Sequence, residues 1–179
     1  AIPGATARYS LDGSLPDFAS PPFTSPLSIS TSTNLRVAYL FPAERFGATA
    51  SRSALKLAPY TQSFSSPLPV VILSNHGAGA VPGVSARGPN GDGSSVTAVP
   101  LQPHSLAILD DPLAATTMAS PATARSRAGL KVRGSSSFTF AEKSYSLETW
   151  GERDNSERDL PLADLPADAD WVLYGPDPA

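Results

Sequence analysis

The sequence predicts a mostly β protein with few short helices, and three observations support that prediction. The 179 residues include 19 Pro and 13 Gly, and these disfavour long helices because proline removes a backbone donor and clashes with the preceding turn. Short stretches of alternating apolar and polar residues recur between turn residues, as in antiparallel sheets. Hydrophobic residues make up 41% of the chain and charged residues 16%, so the chain can bury a core.

Composition also excludes several classes of partner and site. The chain has no cysteine, which excludes disulfides and thiolate metal sites. It has no clustered basic run that could neutralise phosphates, so we exclude nucleic acid as a partner. The longest apolar run, residues 68–73, is too short to cross a bilayer, and we expect no membrane span in this chain. A small molecule or a protein remains as the partner.

The first third of the chain predicts an immunoglobulin-like β-sandwich, because short candidate strands follow one another with turn residues between them. The candidate strands cover residues 7–11, 27–30, 35–41 and 50–57. Side chains alternate along a strand, so every second residue of the third strand lies on one face. The apolar residues of that strand, which we expect to form the core face, are Leu35, Val37, Tyr39 and Phe41.

Three motifs in this region carry a family resemblance. They are Tyr9-Ser-Leu-Asp-Gly-Ser-Leu-Pro16, Ser20-Pro-Pro-Phe23 and Leu35-Arg-Val-Ala38. Together they resemble the chitobiase and hexosaminidase C-terminal type module, and we assign residues 1–57 to it. The resemblance implies an immunoglobulin-like, non-catalytic accessory module that is often joined to extracellular or carbohydrate-related proteins. It therefore implies a location in the cell envelope or outside the cell.

A linker is predicted at residues 58–68, which are rich in Ser and Pro and lack apolar periodicity. The continuous apolar run at residues 69–73 predicts a strand buried on both faces. The following segment, up to residue 103, is predicted to be rich in loops. Its glycine-rich part, residues 88–95, is interpreted as a solvated loop, because a phosphate-binding loop would lie between a strand and a helix.

Residues 129–174 are the most informative stretch and predict a β-hairpin followed by a strand. In its first strand Lys131 and Arg133 alternate with Leu130 and Val132, so the basic face lies opposite the apolar face. Fixed positive charge of this kind suits phosphoryl transfer, which requires that a nucleotide's phosphates be held while they move. We expect the basic face to line a cleft.

The turn and the second strand of this hairpin add further candidate groups. Residues 134–137 supply a glycine and three serine hydroxyls, which can donate hydrogen bonds to phosphate oxygens. In the second strand Lys143 is predicted to share a face with Tyr145 and Leu147. A lysine beside apolar side chains is the arrangement expected at a nucleotide pocket.

Motifs in the same stretch resemble the start of the CotH-type protein kinase domain, an atypical kinase family. They are Arg133-Gly-Ser-Ser-Ser137, Lys143-Ser-Tyr145 and Leu165-Pro-Ala-Asp-Ala-Asp-Trp-Val-Leu173. Two positions depart from the family pattern, since Ser135 replaces an asparagine and Glu142 replaces a lysine. We assign residues 69–179 to the N-terminal, β-rich part of such a domain.

The resemblance implies a parent protein that transfers the γ-phosphoryl group of ATP, with Mg²⁺, to Ser or Thr of a protein substrate. The nucleotide-binding residues that it implies are Arg133, Gly134, Ser135, Ser136 and Lys143. The catalytic base and the acidic metal ligands are expected after Ala179, so this fragment would be inactive alone.

Two alternatives stay open. Arg133 and Lys143 could instead serve only to cap strand ends and pair with Glu142 or Glu148. The whole chain could also be a non-enzymatic envelope or secreted module that binds carbohydrate or a protein partner. The contacts of such a module would be exposed aromatic residues, for which Phe18, Phe23 and Tyr60 are the candidates.

The remaining candidates are assigned structural roles. His76 and His104 lack the spacing of a metal site, and His76 has no Gly-x-Ser-x-Gly turn to serve as the base of a serine hydrolase. The acidic residues of 152–159 predict a solvated hairpin tip. Residues 164–170 predict one helical turn with capping acids, followed by a strand at residues 171–174.

Overall fold

The computed structural model of the chain describes residues 2–43, 45–83, 99–134 and 141–175. The prediction of a mostly β fold with few short helices is confirmed: within these ranges ten strands form antiparallel sheets, and a five-residue 3₁₀ helix, Pro59–Ser63, is the only helical element. The strands are β1 (Thr6–Ser10), β2 (Thr33–Phe41), β3 (Arg45–Ala54), β4 (Ser65–Ser66), β5 (Val70–Ser74), β6 (Gln102–Leu109), β7 (Thr116–Thr117), β8 (Ala122–Arg133), β9 (Ser144–Trp150) and β10 (Asp170–Leu173).

The N-terminal region forms an antiparallel sheet with the order β1-β2-β3. The strand predicted at residues 27–30 was wrong, because those residues form no ladder. Pro21, Pro22 and Pro26 come before this segment and lack the backbone donor that a ladder requires. Residues 21–23 instead run along β1, where the Tyr9 amide donates to the Pro21 carbonyl at 3.0 Å and the Phe23 amide to the Ala7 carbonyl at 2.8 Å.

The core face of β2 is not the predicted one. The predicted residues Leu35, Val37, Tyr39 and Phe41 are only half-buried. Apart from Thr33 at the start of the strand, the buried residues lie on the opposite face and are Asn34, Arg36, Ala38 and Leu40. This face is the more deeply buried one because it faces the second sheet, where polar side chains find hydrogen-bond partners.

The second sheet has five antiparallel strands in the order β10-β9-β8-β6-β5. One face of it carries the main core cluster, which consists of Leu106, Ile108, Ala124, Ala128, Leu130, Leu147 and Leu162. β6, which was not predicted, lies between β5 and β8. The prediction that β5 is buried on both faces was wrong, because β5 is an edge strand and Val71 is 45% exposed.

The two sheets pack against each other through polar side chains, consistent with the predicted β-sandwich class. The Ser53 hydroxyl of β3 donates to the Ser105 hydroxyl of β6, and the Ser51 hydroxyl donates to Glu152 Oε2 at 2.5 Å. The predicted linker at residues 58–68 contains β4, which pairs with β7. Hydrogen bonds therefore connect the first sheet to the second, and β4 to β7.

The segment before β10 turns without forming a helix, so the predicted helical turn was wrong. Ala163 and Asp164 have φ values of 48° and 63°, and the Leu165 amide donates to the Leu162 carbonyl at 3.0 Å. Positive φ at both central residues is characteristic of a type I′ turn. The strand predicted at residues 171–174 is confirmed as β10, shifted by one residue.

Candidate functional site

A cavity of about 540 Å³ lies on the core face of the five-stranded sheet, at the end where Lys143 enters β9. Its walls are lined by Leu73, Ser74, Asn75, Val81, His104, Leu130, Lys143, Tyr145, Leu173, Tyr174 and Gly175. All five strands of the sheet, or the residues next to them, contribute to this lining. The volume lies within the range of small-molecule sites, about 300–1,000 Å³.

Most of the cavity wall is apolar, and its few polar groups are fixed in place. His104 is buried, and its Nδ1 lies 2.9 Å from the Gln102 carbonyl. A carbonyl can only accept, so Nδ1 carries the proton, and in the neutral ring Nε2 is left as an acceptor. The Asn75 amide donates to the Gly79 carbonyl at 2.6 Å, which fixes that side chain as well.

Lys143 is held against the end of β10. Gly175 lies so close to it that a Cβ atom there would be 2.6 Å from the Lys143 carbonyl oxygen, and the Gly175 amide donates to the Ser144 hydroxyl at 3.2 Å. Lys143 and Tyr145 line the same cavity, as their predicted common face implies.

Two of the other predicted nucleotide-binding residues, Arg133 and Gly134, are not in this cavity. Arg133 ends β8, pairs with Ser144 in the hairpin and is exposed, and Gly134 follows it with a φ of 97° that favours glycine. Neither residue lines the cavity. Ser135 and Ser136 lie outside the described residues.

The predicted alternation along β8 is confirmed. Leu130 and Val132 are buried, Lys131 is half-buried and Arg133 is exposed. The basic face of this strand is consequently turned away from the cavity, contrary to the expectation that it lines a cleft. The structure describes three of the five predicted nucleotide-binding residues, Arg133, Gly134 and Lys143. Of these three, only Lys143 lines the cavity.

Two buried arginines that the sequence did not reveal lie between the two sheets, Arg127 on β8 and Arg36 on β2 of the first sheet. Arg36 donates to the Gly13 carbonyl at 3.1 Å and to the Glu152 carbonyl at 2.5 Å. Arg127 donates to the Gly151 carbonyl at 2.6 Å and also stacks over the ring of Trp150. Both arginines therefore hold the loop that follows β9.

Burial changes the acidity of these two arginines. It lowers the pKa of Arg36 to about 10, and repulsion by the nearby Arg127 adds to that lowering. Burial also lowers the pKa of Arg127, while Glu152 and Asp154 raise it.

The solvated tip that was predicted at residues 152–159 is confirmed for residues 153–159, which are exposed. The two arginines hold part of its backbone in place.

His76 has the structural, hydrogen-bonded role that was predicted. Its Nε2 lies 2.9 Å from the Ser105 hydroxyl, which also accepts from Ser53. Burial lowers the pKa of His76, and the positive charge of a protonated His104 would lower it further. Nδ1 is buried and has no hydrogen-bond partner among the described residues.

No group of three or more His, Cys, Asp or Glu side chains that could hold a metal ion occurs among the described residues. In that part of the chain, no helix is both long and apolar enough to cross a membrane.

Comparison with known proteins gives one match. Residues 1–44 match the family described as the Chitobiase/beta-hexosaminidase C-terminal domain. No curated protein and no solved structure shows a significant match to the chain. The predicted resemblance of the N-terminal region is therefore confirmed over β1, the Asp12-Gly13 turn and β2.

Proposed function

We propose that residues 69–179 are the nucleotide-facing part of a CotH-like atypical Ser/Thr protein kinase. The observation that supports this proposal best is the position of Lys143 at the edge of an apolar cavity on an antiparallel sheet. Phosphoryl transfer depends mainly on positioning and on fixed positive charge, which a lysine at a strand end can supply. The protein substrate and the catalytic step belong to the parent kinase.

The cavity offers distinct places for the parts of ATP. The base would pack between Leu130 and Leu173, with Tyr145 beside it, because these apolar walls exclude water from a planar ring. Asn75 and His104 are the polar side chains that could contact the edge of the base. Lys143 would then bind the phosphates as a charged donor.

The remaining predicted residues would assist Lys143. We propose that the amides and hydroxyls of Gly134, Ser135 and Ser136, which follow Arg133 in the sequence, contact the outer phosphates. Bound Mg²⁺ would neutralise phosphate charge, but the described residues hold no cluster of carboxylates that fits it. We therefore derive no step through the metal from these residues.

Calorimetric titration with ATP and Mg²⁺ tests the proposal. We expect weak but saturable binding to the chain, and at least about tenfold weaker binding for Lys143→Ala, because a charged hydrogen bond is worth about 1.5–3 kcal/mol. Lys131→Ala is the matched control, since Lys131 lies on the same hairpin but faces away from the cavity. Equal affinities of the Lys143→Ala variant and the unmodified chain would refute the site.

The family match favours a second function, an accessory module that binds carbohydrate or a protein partner in the envelope or outside the cell. The candidate contacts Phe18 and Phe23 are exposed, and Tyr60 is 80% exposed. Phe23 also packs edge-on against Tyr9, with ring centroids 6.1 Å apart, so it has a structural role too. We expect a variant with alanine at all three positions to lose retention on immobilised polysaccharide, whereas unchanged retention would exclude these contacts.

A further inference from the structure

A second cavity, of about 500 Å³, is lined by both sheets. The first sheet contributes residues of β3, together with Leu55 and Leu57, which follow that strand. The second sheet contributes residues of β5, β6 and β8. The volume again lies in the range of small-molecule sites, and the lining shares no residue with that of the cavity beside Lys143. The two cavities are therefore separate.

Two arginines from different sheets line this cavity, Arg52 of β3 and Arg125 of β8. Both are exposed, and neither guanidinium forms a hydrogen bond, an ion pair or a ring contact with a residue that the structure describes. Arginine is weakly hydrated and presents its N–H groups in a planar fork that suits carboxylate and phosphate groups. The cavity therefore offers positive charge that a ligand can reach from solvent.

The acidic group of the lining does not neutralise these two arginines. Among the described residues that line the cavity, Glu152 is the only acidic one. Glu152 and Asp154 interact electrostatically with the two buried arginines described above, Arg36 and Arg127. Two carboxylates thus offset two buried guanidinium groups, and the charges of the two exposed arginines remain in excess.

The four serine hydroxyls of the lining are already hydrogen-bonded within the protein. Their partners are Glu152 for Ser51, Ser105 for Ser53, His76 for Ser105 and the Trp150 carbonyl for Ser126. Among the described residues of the lining, the side-chain donors that are left for a ligand are consequently the two guanidinium groups.

Much of the remaining lining is apolar and accessible to a ligand. Leu55, Ile72 and Met118 are half-buried, and Leu57 is 40% exposed. A ligand that covers these side chains removes apolar surface from water, which favours binding. The lining thus combines unpaired positive charge with apolar walls.

We propose that this cavity binds a monocarboxylate with an aliphatic chain of medium length. The two carboxylate oxygens would accept from Arg52 and Arg125, and the chain would cover the apolar walls. A carboxylate suits the site better than a phosphate monoester, because a single negative charge costs less to remove from water than a double one. The inference depends on neither of the functions proposed above.

The methyl signal of Met118 reports on this cavity directly, because Met118 is the only methionine of the chain and lines the cavity. Titration with octanoate should shift this signal in a saturable manner in carbon-13 nuclear magnetic resonance. Octanol, which has the chain without the charge, should bind at least about fivefold more weakly. Acetate, which has the charge without the chain, should leave the signal in place at the same concentrations.

Substitution of each arginine tests the role of its charge. Arg52→Ala and Arg125→Ala should each weaken octanoate binding by about threefold to fivefold, the upper range for an exposed ion pair. Both positions are exposed, so the variants should keep the fold. Lys56→Ala is the matched control, because Lys56 is an exposed cation next to the cavity but does not line it. Lys143→Ala should also keep its affinity for octanoate, since Lys143 lines the other cavity.

A saturable shift with octanoate that is weakened in both arginine variants and kept in Lys56→Ala supports the inference. Equal affinities for octanoate and octanol would show that the cavity does not recognise the charge, and would overturn it. Equal weakening in Lys56→Ala would assign the effect to the general charge of the surface and would overturn it as well. A Met118 signal that does not move with octanoate would do the same.

Discussion

Arg36 connects the two sheets through a single side chain. It lies on β2 and donates to carbonyls of the loop that follows β9, at 2.5 Å to Glu152 and 3.1 Å to Arg153. A buried guanidinium is stable only when its donors are paired, and here carbonyl groups supply most of the pairing. No local pattern in the sequence could predict this role, because both partners lie more than a hundred residues away along the chain.

Substitution of Arg36 should therefore destabilise the protein. We expect Arg36→Ala to lower the free energy of unfolding by about 3 kcal/mol, because three hydrogen bonds of about 1 kcal/mol each are lost. Denaturant unfolding measures this change. Arg52→Ala, at an exposed position of β3, is the control and should shift the midpoint little; equal stabilities of the two variants would contradict the assigned role of Arg36.

We expect His76 to make the stability of the protein depend on pH, and the surroundings of its ring set the direction of that dependence. Burial lowers its folded pKa below the unfolded value of about 6.5, so the neutral form is favoured in the folded state. Above the unfolded pKa the residue contributes nothing to the pH dependence. As pH falls below it, the unfolded state binds the proton first and stability decreases.

His76→Asn should reduce this loss of stability. Asparagine tolerates the left-handed backbone of this position, where φ is 51°, and does not titrate. Urea unfolding on either side of the unfolded pKa, at about pH 7.5 and about pH 5.5, should show a smaller loss for the variant than for the unmodified chain. An equal loss in both proteins would mean that His76 does not control this dependence.

At the scale of elements, the alternation of side chains along a strand predicted which residues share a face of that strand, but not always which face is buried. It placed Leu130 and Val132 opposite Arg133 correctly, because apolar and basic residues are separated on β8. It failed on β2, because Arg36 is buried against the loop that follows β9 and Asn34 is buried against Gly13. The position of a strand at the edge or centre of a sheet also depends on pairing between distant segments, which explains the error at β5.

Gly129 of β8 leaves no room for a side chain, because its neighbours pack closely against it. A Cβ atom at this position of β8 would overlap the Trp150 ring and would lie 2.7 Å from Leu101 Cβ. We expect Gly129→Ala to destabilise the protein by about 1–3 kcal/mol, the usual cost of overpacking. Thermal unfolding is the measurement, Arg133→Ala at the exposed end of the same strand is the control, and an unchanged melting temperature for Gly129→Ala would show that the ring can move aside.

At the scale of the whole molecule, two antiparallel sheets pack against each other, and a cavity lies on the face of the second sheet that carries the core cluster. The sequence predicted the β-rich class, the β8–β9 hairpin and the shared face of Lys143 and Tyr145, because each depends on local alternation and turn residues. The contact of Arg36 with the loop after β9 depends on how the two sheets meet, which no local pattern encodes. The division into modules at residues 1–57 and 69–179 stays a prediction.

Methyl-group nuclear magnetic resonance during titration with ATP and Mg²⁺ shows whether the cavity beside Lys143 binds a nucleotide. If it does, we expect saturable shifts of the methyl signals of Leu73, Leu130 and Leu173, which line this cavity, and no shift for Leu40, which is buried in the first sheet. Shifts confined to residues away from the cavity, or no shifts at all, would contradict nucleotide binding there.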